Sequence, residues 1–258
     1  MLSLQGITNN IYEPILGRIS FSPDNKSDRS STIIVNPRSF PDDLKDYAAV
    51  ILSHADIDKR LGNIKMAMAS NVKGADTLIE GDLVEIFPSG LINVLFKINS
   101  KHNVIFVTSK CNSNCIMCPQ PIDHKEGNLT ELNLKLISLL DKSTLELALT
   151  GGEPTVVGQD LFRLILACKH FLPYTSLLLL TNARKFKDFE YTRFYSSLGH
   201  PNITAGIALY GDNDLEHDFI VGSKGAFSET IRGILNLASF GNPIEIRTEK
   251  SCSRSLSP

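Results

Sequence analysis

The chain has 258 residues, 26 basic against 28 acidic side chains for a formal charge of −2, and 42% hydrophobic residues. That length allows a sizeable core with a second small domain, and the balanced charge gives no electrostatic ground for nucleic acid or an anionic membrane as a partner. No stretch approaches the roughly 20 apolar residues of a membrane span, and five cysteines without a secretory leader point to reduced thiols in the cytoplasm.

The N-terminus, MLSLQGITNNIYEPILGR, lacks a basic region followed by an apolar one, so the acceptor triplets at Asn128 and Asn202 are read as silent. STIIVN (31–36) and AVILSH (49–54) read as short strands, and GDLVEIF–PSG–LINVLF (81–96) as a hairpin. Residues 1–100 are therefore expected to form a small β-rich domain with no legible active site.

From Asn103 the text alternates. NVIFVT (103–108) is a strand that runs into a cysteine-rich loop. Thr130 offers an N-cap hydroxyl to a helix with the stripe Leu132, Leu136, Leu139 and Leu140, and Glu131 gives it an acidic first turn. LELALT (145–150) ends in Gly151-Gly152. Asp160 caps a helix running to Leu172, with Leu161, Leu164, Ile165, Cys168 and Leu172 on its apolar face. SLLLLT (176–181) is apolar throughout, as a strand covered on both faces should be. A helix near 188–197, a strand at ITAGIALY (203–210), a helix near 227–239 and a strand beginning at Ile244 follow.

Such alternation over 101–248 is the pattern of an α/β parallel sheet, open or closed into a barrel, with its chemistry on the loops that follow the strands. CNSNC, GGEPT, TNA and GDND all fall at such positions.

Cys111, Cys115 and Cys118 lie in the eight residues CNSNCIMC. Thiolates so close together repel one another unless a metal centre takes up their charge. Spacing alone leaves two shells open. Zinc would close its shell with a fourth ligand, for which His124 is near enough. An iron–sulfur cubane held by three thiolates would keep one iron open. Clustering of this kind in a reduced protein argues against three idle cysteines. Cys168, on an apolar helix face, reads as core, and Cys252 sits in a serine-rich tail with no neighbouring cysteine.

With Gly151-Gly152-Glu153-Pro154 after the next strand, this arrangement resembles the radical S-adenosylmethionine superfamily. The resemblance implies a partial (β/α) barrel in which Cys111, Cys115 and Cys118 hold a [4Fe–4S] cluster. S-adenosyl-L-methionine chelates its fourth iron, and Gly151, Gly152, Glu153 and Pro154 lie at the methionyl amine. Two glycines would let backbone carbonyls approach an ammonium group, and Glu153 would add negative charge. Met117 stands where the superfamily carries an aromatic residue and keeps an apolar cover. The implied reaction is reductive cleavage of the cofactor to a 5′-deoxyadenosyl radical that abstracts a substrate hydrogen, with an electron donor such as flavodoxin or ferredoxin. No side chain is singled out as catalytic.

Thr181 and Asn182 read equally as a cofactor contact or as the turn after a strand. Asp212, in a loop continuing through Asp214, Glu216, His217 and Asp218, could meet a ribose hydroxyl or serve in a solvated, helix-capping loop. Arg247 could meet a carboxylate or lie on the surface.

The text GDLVEIFPSGLINVLF followed by HNVIFVTSKCNSNCIMCPQP is similar, more narrowly, to the radical maturase of the His-Xaa-Ser repeat peptide system. That likeness runs from about residue 80 to Arg247 and implies a ribosomally made precursor peptide as partner. A complete family core has six strand–helix units, and five strand starts are legible here. TEKSCSRSLSP after Arg247 has no apolar period, so the chain is expected to be truncated, through a frameshift near residue 248, with an irregular tail at 249–258. Truncation would leave an exposed sheet edge and reduced or absent turnover. A cluster-binding or peptide-binding remnant without activity and a zinc-stabilised binding domain are the competing readings.

Overall fold

The structure, a computed structural model, describes residues 2–22, 28–36, 44–54, 66–120 and 127–248. The chain divides into two compact units, Met1–Asn103 with Ser138–Thr144, and Val104–Ile137 with Leu145–Pro258. No helix among the described residues is long and apolar enough to cross a membrane. The tail at 249–258, with Cys252, lies outside the described residues, as does His124.

The first unit is a closed barrel of β1 (Leu2–Asn9), β2 (Ile15–Ser20), β3 (Thr32–Val35), β4 (Ala49–Ile51), β5 (Met68–Lys73), β6 (Leu83–Ile86) and β7 (Leu91–Phe96), ordered β1-β5-β4-β3-β2-β6-β7. The expected hairpin is β6–β7, paired antiparallel from Leu83↔Phe96 to Ile86↔Ile92. Its turn closes through Gly90 N–H on Phe87 O at 2.9 Å, with Gly90 at φ 85°. The apolar runs TIIV and AVI are explained by parallel pairing. β3 lies between β2 and β4, both parallel to it. Ile33, Val35, Ala49 and Ile51 enter one core cluster, while the alternating Ile34 and Val50 enter a second with Leu44, Tyr47, Leu52, Met66 and Met68. Strands buried on both faces have no polar side to show.

The second unit carries β8 (Asn103–Thr108), β9 (Glu146–Gly151), β10 (Ser176–Thr181), β11 (Ile203–Ala208) and β12 (Ile244–Arg247) in one five-stranded sheet, ordered β12-β11-β10-β9-β8. The pairs β9–β10, β10–β11 and β11–β12 are parallel. Between the strands run α1 (Thr130–Leu139), α2 (Gln159–Phe171), α3 (Phe189–Ser197), α4 (Asp214–Val221) and α5 (Ala226–Ser239).

The helix starts differ in detail from the sequence reading. Thr130 is already inside α1, and the Asn128 side chain accepts from its N–H at 2.8 Å. Gly158, at φ 62°, is the N-cap of α2. Asp160 sits in the first turn instead, its carboxylate bonded to Asn128 and Arg163. The apolar face of α2 is as expected: Leu161, Leu164, Ile165 and Cys168 are fully buried. Burial pushes the Cys168 thiol up to about 12, which suits a core residue and not a ligand.

Candidate functional site

Parallel pairing brings the C-terminal ends of β9, β10, β11 and β12 to one side of the sheet, and the residues at and after them share a cavity of about 710 Å³ with the loop after β8. β8 is followed by Ser109 and the cysteine loop, β9 contributes Thr150 to Glu153, and β10 contributes Leu180 to Asn182. Gly206, Ala208 and Tyr210 line it from β11 and the residues after it, and Arg247 and Thr248 from the end of β12. A crevice at the carboxyl ends of parallel strands is where open α/β sheets bind ligands.

All three clustered cysteines face this cavity, together with Met117. Cys111 accepts from the Ser113 N–H at 3.4 Å, and the exposed Cys118 thiol donates to Gln120 O at 3.5 Å. Burial pushes the Cys111 and Cys115 thiols up; the charges of Glu153 and Cys118 push Cys111 further, and those of Cys111 and Cys118 push Cys115 further. This is the mutual repulsion expected of crowded thiolates. Among the described residues no three His, Cys, Asp or Glu side chains converge as a ready-made metal shell. What the loop offers is three soft donors on one cavity wall.

The GGEP segment locks the neighbouring strand end to this loop. Gly152 N–H donates to Thr108 O at 2.6 Å, and Glu153 N–H to Lys110 O at 2.9 Å. A Cβ on Gly151 would lie 2.2 Å from Thr108 O, and one on Gly152 would lie 2.3 Å from Lys110 O. The two glycines are therefore needed by the chain's own backbone, where the sequence suggested an approach to a ligand ammonium. Both still line the cavity.

Glu153 is 1% exposed and acts as a buried junction. Its Oε1 accepts from Thr155 N–H (3.0 Å), the Thr155 hydroxyl (2.7 Å) and the Thr181 hydroxyl (2.6 Å), and its Oε2 from Asn182 N–H (2.6 Å). Burial pushes its carboxyl up, and these four donors pull it back. Pro154 opens a 3-10 turn (Pro154–Val157) for which Glu153 is the N-cap.

Asn182 is neither a free turn residue nor only a cavity wall. Its Nδ2 donates to Asn112 Oδ1 at 2.6 Å, tying the end of β10 to the cysteine loop. The loop is pinned from the other side by α4, through Asn114 N–H to Val221 O (2.9 Å) and Ile116 N–H to Ile220 O (3.0 Å). Of the residues singled out from the sequence, Cys111, Cys115, Cys118, Gly151, Gly152, Glu153, Thr181 and Asn182 come together on the cavity. Pro154 is buried behind it, and Asp212 stands outside the lining, bonded to the Asn213 amide.

The rest of the acidic run is helix α4. Asn213 caps it, accepting from Glu216 N–H at 2.9 Å, and His217 faces inward at 2% exposure with Nδ1 accepting from Tyr210 N–H. Asp218 accepts from the N–H groups of Gly225 and Phe227 at the start of α5. Arg247 does line the cavity, with Nε on Glu245 at 3.0 Å. Sequence reading missed Arg184, which lies behind the loop and bonds Asn112 O and Ser113 Oγ. Its only signal, the basic run RKFK, looks like an ordinary solvated stretch.

No family model matches the chain, and no curated protein matches it. Among solved structures it is similar to anSMEcpe, an anaerobic sulfatase-maturating enzyme, with bound AdoMet, at 18% identity and a TM-score of 0.43 over 56% of this chain and 41% of that one. It is similar to the same enzyme with bound AdoMet and Kp18Cys peptide, at 19% identity and a TM-score of 0.44 over 56% of this chain and 42% of that one. The chain thus spans about two fifths of the length of these structures.

Proposed function

We propose that this chain is an iron–sulfur protein of the radical S-adenosylmethionine kind, acting on a peptide. The observation that carries this reading is the meeting of CNSNCIMC and GGE on one cavity of about 710 Å³. Cys111, Cys115 and Cys118 would hold three irons of a [4Fe–4S] cluster, leaving the fourth without a cysteine ligand. Three soft donors, mutually repelling as free thiolates and backed by an open cavity, suit a centre that keeps a vacancy. A structural zinc site closes its own shell and has no use for a crevice beside it. The zinc alternative needs His124, outside the described residues.

When bound, cluster and S-adenosyl-L-methionine together would supply one-electron cleavage to methionine and a 5′-deoxyadenosyl radical. The chain's part is orientation and shelter. Gly151, Gly152 and Glu153 form the wall next to the cysteines, Thr181 and Asn182 continue it, and Leu180, Ala208 and Val221 give it apolar surface that excludes water. Arg247, at the end of β12, lines the same cavity with its Nε on Glu245. The finer reading is a maturase of a ribosomally made peptide of the His-Xaa-Ser repeat type, supplied with electrons by a flavodoxin or ferredoxin in the cytoplasm. It rests on the text around CPQP.

The test is anaerobic reconstitution, reduction with dithionite and chromatography for 5′-deoxyadenosine. Release of 5′-deoxyadenosine and methionine in equal amounts is the expected result. Stoichiometric zinc with no iron would replace this reading with the zinc-stabilised domain. A loaded cluster that never yields 5′-deoxyadenosine would leave a cluster-binding chain without turnover.

A further inference from the structure

The cysteine loop is held in place by a residue that never reaches the cavity. Arg184 follows the β10 end in the order Thr181-Asn182-Ala183-Arg184, and Ala183 turns the chain there at φ 60°. That left-handed turn is fixed from several sides. Ala183 N–H donates to Thr181 Oγ1 at 3.0 Å, the Thr230 hydroxyl of α5 donates to Asn182 O at 2.9 Å, and Gly233 lets α5 approach so closely that a Cβ there would lie 2.2 Å from Ala183 O. A turn so determined aims the next side chain without much freedom.

Arg184 uses that aim fully. Its side chain is only 13% exposed. Nε donates to Glu229 Oε2 at 2.6 Å, while Nη1 donates to Asn112 O and, at 3.1 Å, to Ser113 Oγ. Glu229 is itself shared with Lys187. Burial works against the Glu229 carboxylate, yet Lys187 and Arg184 hold it below its usual range, so it is an anion when it orients Arg184. The guanidinium thus links α5 to the first two residues after Cys111, through a planar fork that a point-charge ammonium cannot reproduce.

We infer that the Glu229–Arg184 pair is a positioning clamp that sets the cysteine loop for cluster binding by fixing Asn112 and Ser113 between Cys111 and Cys115. This rests on the reading of the three cysteines as cluster ligands. The clamp stands outside the cavity lining and acts only through the backbone and hydroxyl it holds. Partners one step removed from a metal commonly change affinity by roughly 10- to 100-fold.

The experiment compares the parent chain with Arg184→Met, Arg184→Lys and Glu229→Gln. Amide exchange across 111–118 is measured in the cofactor-free chain, and bound iron and the paramagnetic resonance of the reduced cluster after reconstitution. In Arg184→Met the loop amides should exchange on the order of tenfold faster with β10 unchanged, as expected for losing a charge-assisted hydrogen bond. Iron affinity should fall by roughly tenfold or more. Arg184→Lys should recover only part of both and give an altered resonance line shape. Should Arg184→Met fail to fold, Glu229→Gln carries the test, because it removes the orienting anion and leaves every loop residue intact. Parent-like exchange and parent-like iron in these variants would overturn the clamp while leaving the cluster reading standing. Faster loop exchange in a chain whose parent takes up no iron would remove the cluster reading and the clamp's purpose with it.

Discussion

Replacing Gly152 with Ala places a methyl group where the structure has a carbonyl. The new Cβ would lie 2.3 Å from Lys110 O, 2.8 Å from Lys110 C and 2.8 Å from Ser109 O, all backbone atoms that cannot rotate aside. Ordinary contact returns only if the two segments part by roughly 1 Å. That separation stretches Gly152 N–H to Thr108 O and Glu153 N–H to Lys110 O, now 2.6 and 2.9 Å. Weakening two such bonds costs about 1 kcal/mol each, and residual overpacking adds about 1 kcal/mol or more. A loss of about 3 kcal/mol in a unit of this size lowers the melting temperature by roughly 6–12 °C. Differential scanning calorimetry of the cofactor-free chain measures it. Gly127→Ala is the control, since a Cβ there meets nothing within 4 Å, and it should melt with the parent. A Gly152→Ala chain melting within about 1 °C of the parent would refute the claim that these glycines serve the backbone contact.

Glu153→Ala should be more damaging, by about 3–5 kcal/mol in urea unfolding, because three buried donors and the half-buried Asn182 N–H lose their acceptor together. Glu153→Gln keeps the shape and should cost less. Cys168 should resist alkylation at pH 8 in the native, cofactor-free chain while the exposed Cys118 reacts, as peptide mapping will show, and Cys168→Ala should leave bound iron unchanged. His200 and His217 are both pushed below the ordinary value of 6.5, mainly by burial, so the folded chain takes up these protons less readily than the unfolded one. Their contribution is therefore intact above pH 6.5 and is lost as pH falls below it. Thermal unfolding followed from pH 8 to pH 5 should show a decline in that window, and His217→Gln should flatten it.

Much of the second unit was legible because its strands are apolar runs and its loops are chemically distinctive. CNSNCIMC and GGEPT announce themselves, and each follows the end of one of two neighbouring strands in the same sheet. Helix α4 was obscured for a physical reason. Its buried stripe is His217, Ile220 and Val221, with a histidine in place of an apolar residue, while Leu215 and Phe219 point outward at 83% and 73% exposure. The periodicity that marks a helix is inverted there. Arg184 was illegible because nothing in RKFK says which cation will turn inward; Ala183 and α5 decide that, and both act through tertiary contact. In the first unit the hairpin could be read from its turn residues, whereas closure of seven strands into a barrel could not, since β2, β3, β4 and β5 pair in parallel across long connections that leave no local signal.

The central claim is that Cys111, Cys115 and Cys118 hold a cluster with one position left for S-adenosyl-L-methionine. Electron paramagnetic resonance of the anaerobically reconstituted, reduced chain, recorded with and without S-adenosyl-L-methionine, tests it most directly. The account predicts a [4Fe–4S] signal whose g values change when the cofactor is added, and its loss on Cys115→Ala. A signal indifferent to the cofactor, or a chain that takes up zinc and no iron, would contradict it.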